Sequence, residues 1–160
     1  MCNRNCDNLH TLPIECPLIL AFSYRFLYNN TVDIQKHIQY WLQGAERDLQ
    51  TAENIFSSGR DFHFCLFVAY LALEKTFKAL VVKATVAHPP KTHNLVRLSE
   101  LARLELTIDQ VHFLQEVNQF AIQTRYPDEQ FEFYKRCTKE FTETYLNKIK
   151  DFRQWLLTMI

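Results

Sequence analysis

An all-α fold, an up-and-down antiparallel bundle of four long helices with one short helix added, is what this sequence predicts. Three observations predict it. Only two glycines and five prolines occur in 160 residues, too few to punctuate many-turned β structure. Apolar residues recur at three- and four-residue spacing through long segments, and no stretch alternates with the two-residue period of a strand. Thirteen phenylalanines and seven tyrosines supply aromatic volume for a bundle core.

A chain of this length suits one domain with a core of its own. Eighteen basic and eighteen acidic residues cancel. No global field therefore draws the protein to nucleic acid, and contact of that kind needs a local patch. Residues 1–31 lack clean periodicity and read as an N-terminal tail, either disordered or a mis-assigned start, ahead of a bundle over 32–160. The regular pattern opens at Val32-Asp33-Ile34, and no internal Met precedes the helices. Val32 accordingly reads as a natural start written with a non-standard codon; a native peptide from residues 5–25 in a mass spectrum would refute this. The longest apolar stretch of the tail, Pro17 to Tyr28, is interrupted by Ser23 and Arg25. It is too short to cross a membrane and carries no small-residue cleavage signature. Five cysteines suggest no disulfide framework, which points to the reducing cytoplasm. Cys2, Cys6, His10 and Cys16 have the chemistry of zinc ligands. Their C-x3-C-x3-H-x5-C spacing matches no common finger, and no glycine shapes a turn among them. No metal and no cofactor is expected.

The first helix is predicted from about Asp33 to Phe56. Ile34, Ile38, Trp41, Ala45, Leu49, Ala52 and Ile55 form its core stripe, and Ser57-Ser58-Gly59 stops it, Gly59 serving as a left-handed C-cap. The second runs from Asp61 to about Val86 and is apolar on almost every face, which places it at the centre of a bundle. Pro89-Pro90 prevents its extension. A third, short helix covers about Leu95 to Leu104. Thr107-Ile-Asp-Gln110 has the form of a capping box and opens a fourth, with Val111, Leu114, Val117 or Asn118, and Ala121 inward. Pro127 ends it. Asp128 is the expected N-cap of a fifth, whose stripe of Phe131, Tyr134, Cys137, Phe141, Tyr145, Ile149, Phe152 and Trp155/Leu156 lasts seven turns.

Charges on the central helix are costly unless paired or turned to water or a ligand, which singles out Glu74, Lys75 and Lys78. Glu74 and Lys78 have the favourable order for a helix ion pair. Lys75 and Lys78, three apart, would together receive a phosphate. His93 lies just before the short helix, placed to cap it or to touch an anion with its amides. Arg125-Tyr126-Pro127-Asp128 is the sharpest local motif. Pro127 disfavours helical geometry at Tyr126, so the break holds Arg125 at one helix end and Asp128 at the next start. The planar guanidinium suits phosphate or carboxylate, and it would equally pair with Asp128 or terminal carbonyls. There is no Glu-x-x-His for a di-iron bundle and no His-Glu-x-x-His. Gly44 and Gly59 alone cannot build a phosphate-binding loop. Cys65 and Cys137 read as core thiols rather than nucleophiles.

Tyr40-Trp-Leu-Gln-Gly-Ala-Glu-Arg-Asp-Leu49, Ala69 through Leu73 with Glu74-Lys75-Thr-Phe-Lys78-Ala79, Thr92-His93-Asn-Leu95 and Arg125-Tyr-Pro-Asp128 occur in that order. Over about residues 33–158 this set resembles the HEPN domain family. The resemblance implies a bundle of four main antiparallel helices that often dimerises. It also implies a setting beside small nucleotidyltransferases, in systems resembling toxin–antitoxin pairs. Many members of the family are metal-independent ribonucleases that use an Arg followed four to six residues later by His. This chain departs from that pattern, since Tyr-Pro-Asp-Glu-Gln-Phe-Glu after Arg125 contains no His. Arg4 and His10 fit the spacing but lie in the tail. The candidate site carried over is Glu74, Lys75, Lys78, His93, Arg125, Tyr126 and Asp128.

Two functions follow as expectations. In the first, a groove between the second and fourth helices takes a nucleotide phosphate on Lys75, Lys78 and Arg125, with Tyr126 stacking on the base. The protein then partners a nucleotidyltransferase as a homodimer. In the second, dimerisation brings two Arg125 side chains around an RNA phosphate, with His93 as general acid or base. A purely structural assembly module is the third expectation, with aromatic residues of the first and fifth helices buried in a partner.

Overall fold

The computed structural model describes the backbone of residues 17–160 except 126, and side chains of 34–125 and 131–160. Among the described residues six helices follow one another: α1 (Pro17–Ser57), α2 (Phe62–Thr85), α3 (Leu95–Leu101), α4 (Ile108–Arg125), α5 (Pro127–Arg136) and α6 (Lys139–Leu157). None of the described residues is in a strand, and the architecture is an all-α bundle. The chain divides into two units, Met1–Val32 and Asp33–Ile160, and every described side chain belongs to the second.

α2 is the centre of the bundle. Its residues from Cys65 to Val82 are buried on nearly every face, as the all-round apolar pattern requires. α3, α4 and α6 pack on it, and α5 touches it more lightly. The α1 stripe behaves as its spacing predicts. Leu49 and Ala52 join the main core, and Ile38 packs with Ala79 and Val82 of α2 in a smaller cluster. On α4, Leu114, Val117 and Ala121 are buried together with Phe120, whose ring lies 5.5 Å from that of Phe133. The capping box forms. Gln110 N donates to Thr107 Oγ1 at 3.2 Å and Thr107 N donates to Gln110 Oε1 at 2.9 Å.

Three expectations about elements are corrected. α1 begins at Pro17 rather than Asp33. Proline is at home in a first helical turn, and no further proline and no glycine occurs between Pro17 and Gly44. α5 begins at Pro127, so the backbone of Asp128 is inside the helix rather than at its cap. The seven-turn helix is two helices. The break falls at residues 137 and 138, where Thr138 is extended and its hydroxyl accepts from Phe141 N at 3.2 Å, capping α6. The break shifts the phase of the stripe. Phe131 is 63% exposed and Tyr134 also faces solvent, whereas Phe133 is 2% exposed and occupies the core position.

Candidate functional site

Glu74 organises the charged residues of α2. It is 4% exposed, and its partner Lys78 is 8% exposed. Lys78 Nζ donates to Oε1 at 2.6 Å. Tyr70, one turn earlier on the same face, brings its hydroxyl 2.8 Å from Oε2. Nδ1 of His93 lies 3.1 Å from both carboxylate oxygens. Burial pushes the Glu74 carboxyl up. The hydrogen bonds from Lys78, His93 and Tyr70 outweigh that, and the group is held below the usual carboxylate range. Glu74 is therefore an anion at neutral pH. The Tyr70 hydroxyl moves the other way. Burial raises it first, and the Glu74 charge raises it further, so it stays a proton donor. That single proton is shared, because Tyr70 Oη is also 2.6 Å from the backbone carbonyl of His93. The residues before α3 are thus pinned to α2.

The next residues are pinned to α3 and α4. Asn94 Oδ1 accepts from Arg97 N at 3.0 Å and caps α3. Asn118 Oδ1, reaching from α4, accepts from Leu95 N at 3.0 Å. Between these elements opens a cavity of about 360 Å³ lined by Tyr70, His93, Asn94, Gln115, Asn118, Gln119, Ala121, Ile122 and Arg125. Arg125 is exposed, and its guanidinium carbon sits 5.3 Å from the Phe67 ring centroid. The cavity combines one cation, an imidazole and a row of amides, which is the chemistry of a polar, anionic ligand. A second concavity, about 410 Å³, holds Arg60 and Lys135. It also holds the Asp61 carboxylate, and Lys135 is already paired with Glu132 at 3.0 Å.

The structure does not gather the seven sequence-predicted residues into one cluster. Glu74, Lys78 and His93 form one network, and His93 and Arg125 line the same cavity. Lys75 points elsewhere: its Nζ is 2.6 Å from Asp48 of α1. Its stem crosses Gly44, where an added Cβ would lie 3.2 Å from Lys75 Cδ. The expected convergence of Lys75 with Lys78 is corrected accordingly. Three positions along a helix leave about 60° between side-chain directions, and each ammonium turns to its own carboxylate. Lys78 is engaged by Glu74, with its Nζ 5.0 Å from the Trp41 ring centroid, and it does not line the cavity. Tyr126 and the side chain of Asp128 lie outside the described residues. Sequence reasoning missed Tyr70, Gln115 and Gln119. Tyr70 lies four before Glu74, a spacing that puts it on the same face. Gln115, Asn118, Ile122 and Arg125 recur every three or four residues, the signature of a shared helix face.

Cys65 and Cys137 are buried free thiols, and burial pushes both up to about 12, which fits core residues rather than nucleophiles. Among the described residues, no group of three or more His, Cys, Asp or Glu is arranged to hold a metal. The cysteines and His10 of the tail lie outside the described residues. No described helix is long and apolar enough to cross a membrane.

An all-helical domain with a cavity of mixed polar and apolar lining between its second and fourth helices is the class this geometry defines. The HEPN domain model matches residues 38–159, and the chain belongs to the HEPN family. Two solved structures share the fold. TT1696 from Thermus thermophilus is 22% identical with a TM-score of 0.65, covering 78% of this chain and 98% of its own. ST0689, an archaeal HEPN homologue, is 21% identical with a TM-score of 0.62, covering 77% and 97%. No curated protein matches the sequence.

Proposed function

We propose that this HEPN domain is a binding module that takes a nucleotide through its phosphate in the α2–α4 cavity. It acts, as a homodimer, beside a small nucleotidyltransferase in a system resembling a toxin–antitoxin pair. The observation that carries the reading is the placing of Arg125 on the wall of a cavity that also holds His93, four carboxamides and the side chains of Tyr70, Ala121 and Ile122. A guanidinium offers paired donors to phosphate oxygens, and the carboxamides of Gln115 and Gln119 suit the edges of a base. The volume, about 360 Å³, falls in the range of small-ligand sites. Lys75 and Lys78 have no part in this binding, since both are engaged by carboxylates. Isothermal calorimetry with ATP, GTP and their diphosphates tests the reading. Binding that disappears in Arg125→Ala supports it, and absence of binding for all four ligands refutes it. The partner is tested by co-purification with the product of an adjacent nucleotidyltransferase gene.

A ribonuclease is the second reading, and one observation favours it. Arg125 and His93 line one cavity despite lacking the usual linear spacing, and Glu74 fixes the His93 ring as an orienting carboxylate does for a general base. Incubation with RNA in the presence of EDTA decides: no cleavage at high protein concentration removes this reading.

A further inference from the structure

We infer that His93 makes this cavity selective for ribonucleotides over deoxyribonucleotides, by accepting a hydrogen bond from a sugar hydroxyl. The inference rests on the cavity being a nucleotide site and adds which nucleotides it takes.

The Glu74 carboxylate is already matched by the buried ammonium of Lys78 at 2.6 Å. The imidazole of His93 meets both carboxylate oxygens through Nδ1. Carboxylate oxygens only accept, so Nδ1 carries the proton. In a neutral imidazole the other nitrogen then holds a lone pair. Nε2 is on the ring edge away from Glu74, and the His93 side chain is 59% exposed on a wall of the cavity. With its ring held at Nδ1, His93 thus offers the lone pair of a neutral imidazole on a wall shared with the Arg125 cation.

Three other acceptors on that wall are in use, and the Gln115 and Gln119 carboxamides are those assigned to the base edges. Asn94 Oδ1 caps α3, Asn118 Oδ1 holds Leu95 N, and the His93 carbonyl receives the Tyr70 hydroxyl. A ligand that satisfies both Arg125 and His93 carries an anionic group and a hydrogen-bond donor within one small molecule. A ribose with its phosphate has that chemistry. A sugar lacking the hydroxyl leaves the imidazole nitrogen facing an apolar carbon, at the cost of one hydrogen bond.

Calorimetric titration at pH 8 with ATP, 2′-deoxy-ATP and 3′-deoxy-ATP is the test. ATP should bind about fivefold tighter than one of the two deoxy analogues, the ratio expected for roughly 1 kcal/mol from a single hydrogen bond. His93→Asn keeps an N–H near the Nδ1 position for Glu74 and deletes Nε2. It should bind all three ligands alike, at the affinity the wild type shows for the weaker analogue. Equal binding of the three ligands by the wild-type protein would overturn the inference while leaving the nucleotide site standing. So would full discrimination retained in His93→Asn, since His93 would then only support the fold. Failure of the wild type to bind any of them, with Arg125→Ala no different, sinks the site itself.

Discussion

Glu74 is where the sequence places a charge inside the core, and its neighbours determine what that charge does. Replacing it with Gln keeps the shape but leaves the Lys78 ammonium buried without its counter-ion. Breaking one half of a buried pair costs about 3 kcal/mol, so Glu74→Gln should lower unfolding stability by that amount in urea at pH 7. The effect depends on pH with a definite sign. The folded carboxyl is held below its usual range, so its contribution is fully present above the unfolded pKa, roughly 4.3. It is lost as pH falls through the lower folded value. The stability gap between wild type and Glu74→Gln should therefore narrow as pH is lowered from about 5 to 3. A gap that stays constant over that range would mean that the folded carboxyl takes up its proton as the unfolded one does, and a gap that widens would mean that it is un-ionised in the fold. The position four before Glu74 is a readable clue to Tyr70. Within an apolar run, however, a tyrosine looks like any other core ring. Nothing local shows that its hydroxyl finds the carbonyl of His93, far along the chain.

Among the helices, most of the bundle is directly readable, because periodicity and capping are local. The α1 stripe, the all-round burial of α2 and the Thr107–Gln110 box all follow from spacing alone. The α5–α6 break does not show, because Thr138 has Phe141 rather than Glu or Gln three residues on, and the apolar stripe runs on past it. Thr138→Ala removes the hydroxyl that accepts from Phe141 N and should cost about 1 kcal/mol, read as a lower urea midpoint with an unchanged slope. Val86 is a second place where local preference is overruled. It ends α2 in the left-handed region at φ 56°, with its N–H donating to the Val82 carbonyl, although a β-branched residue there is strained. The side chain is exposed, so little packing holds it. Val86→Gly relieves the strain and keeps the hydrogen bond. Its own loss of backbone freedom on folding offsets part of the gain. The net should be a stabilisation of about 1 kcal/mol, raising Tm by roughly 2–4 °C. A lower Tm would mean that the valine side chain contributes contacts outweighing its backbone strain.

The unit that folds as a whole is the last thing a one-dimensional pattern can delimit. Periodicity suggests a bundle from residue 32 onward, yet α1 continues upstream to Pro17, so helix continuity alone does not mark the edge of the domain. Packing gives a sharper criterion. Described core residues run from Ile38 to Leu156, and the HEPN match spans 38–159. TT1696 and ST0689 build the same fold while aligning over 98% and 97% of their own chains to only 78% and 77% of this one. A complete bundle of this type therefore needs nothing that corresponds to the rest of the sequence. Three ion pairs tie α1 into the second unit from within its later half: Asp48 with Lys75, Glu46 with Arg153 and Glu53 with Lys150. All of these lie downstream of Asp33. A protein comprising residues 33–160 should then fold cooperatively, with a helical circular-dichroism spectrum and a Tm within a few degrees of the full chain, since no described core contact is removed. It should also keep whatever affinity the α2–α4 cavity has for ATP, because every lining residue lies between Tyr70 and Arg125. Loss of cooperative unfolding in the shortened chain would show that the upstream turns of α1 supply stability the bundle cannot do without. Intact folding with altered ATP affinity would show that they act on the cavity instead.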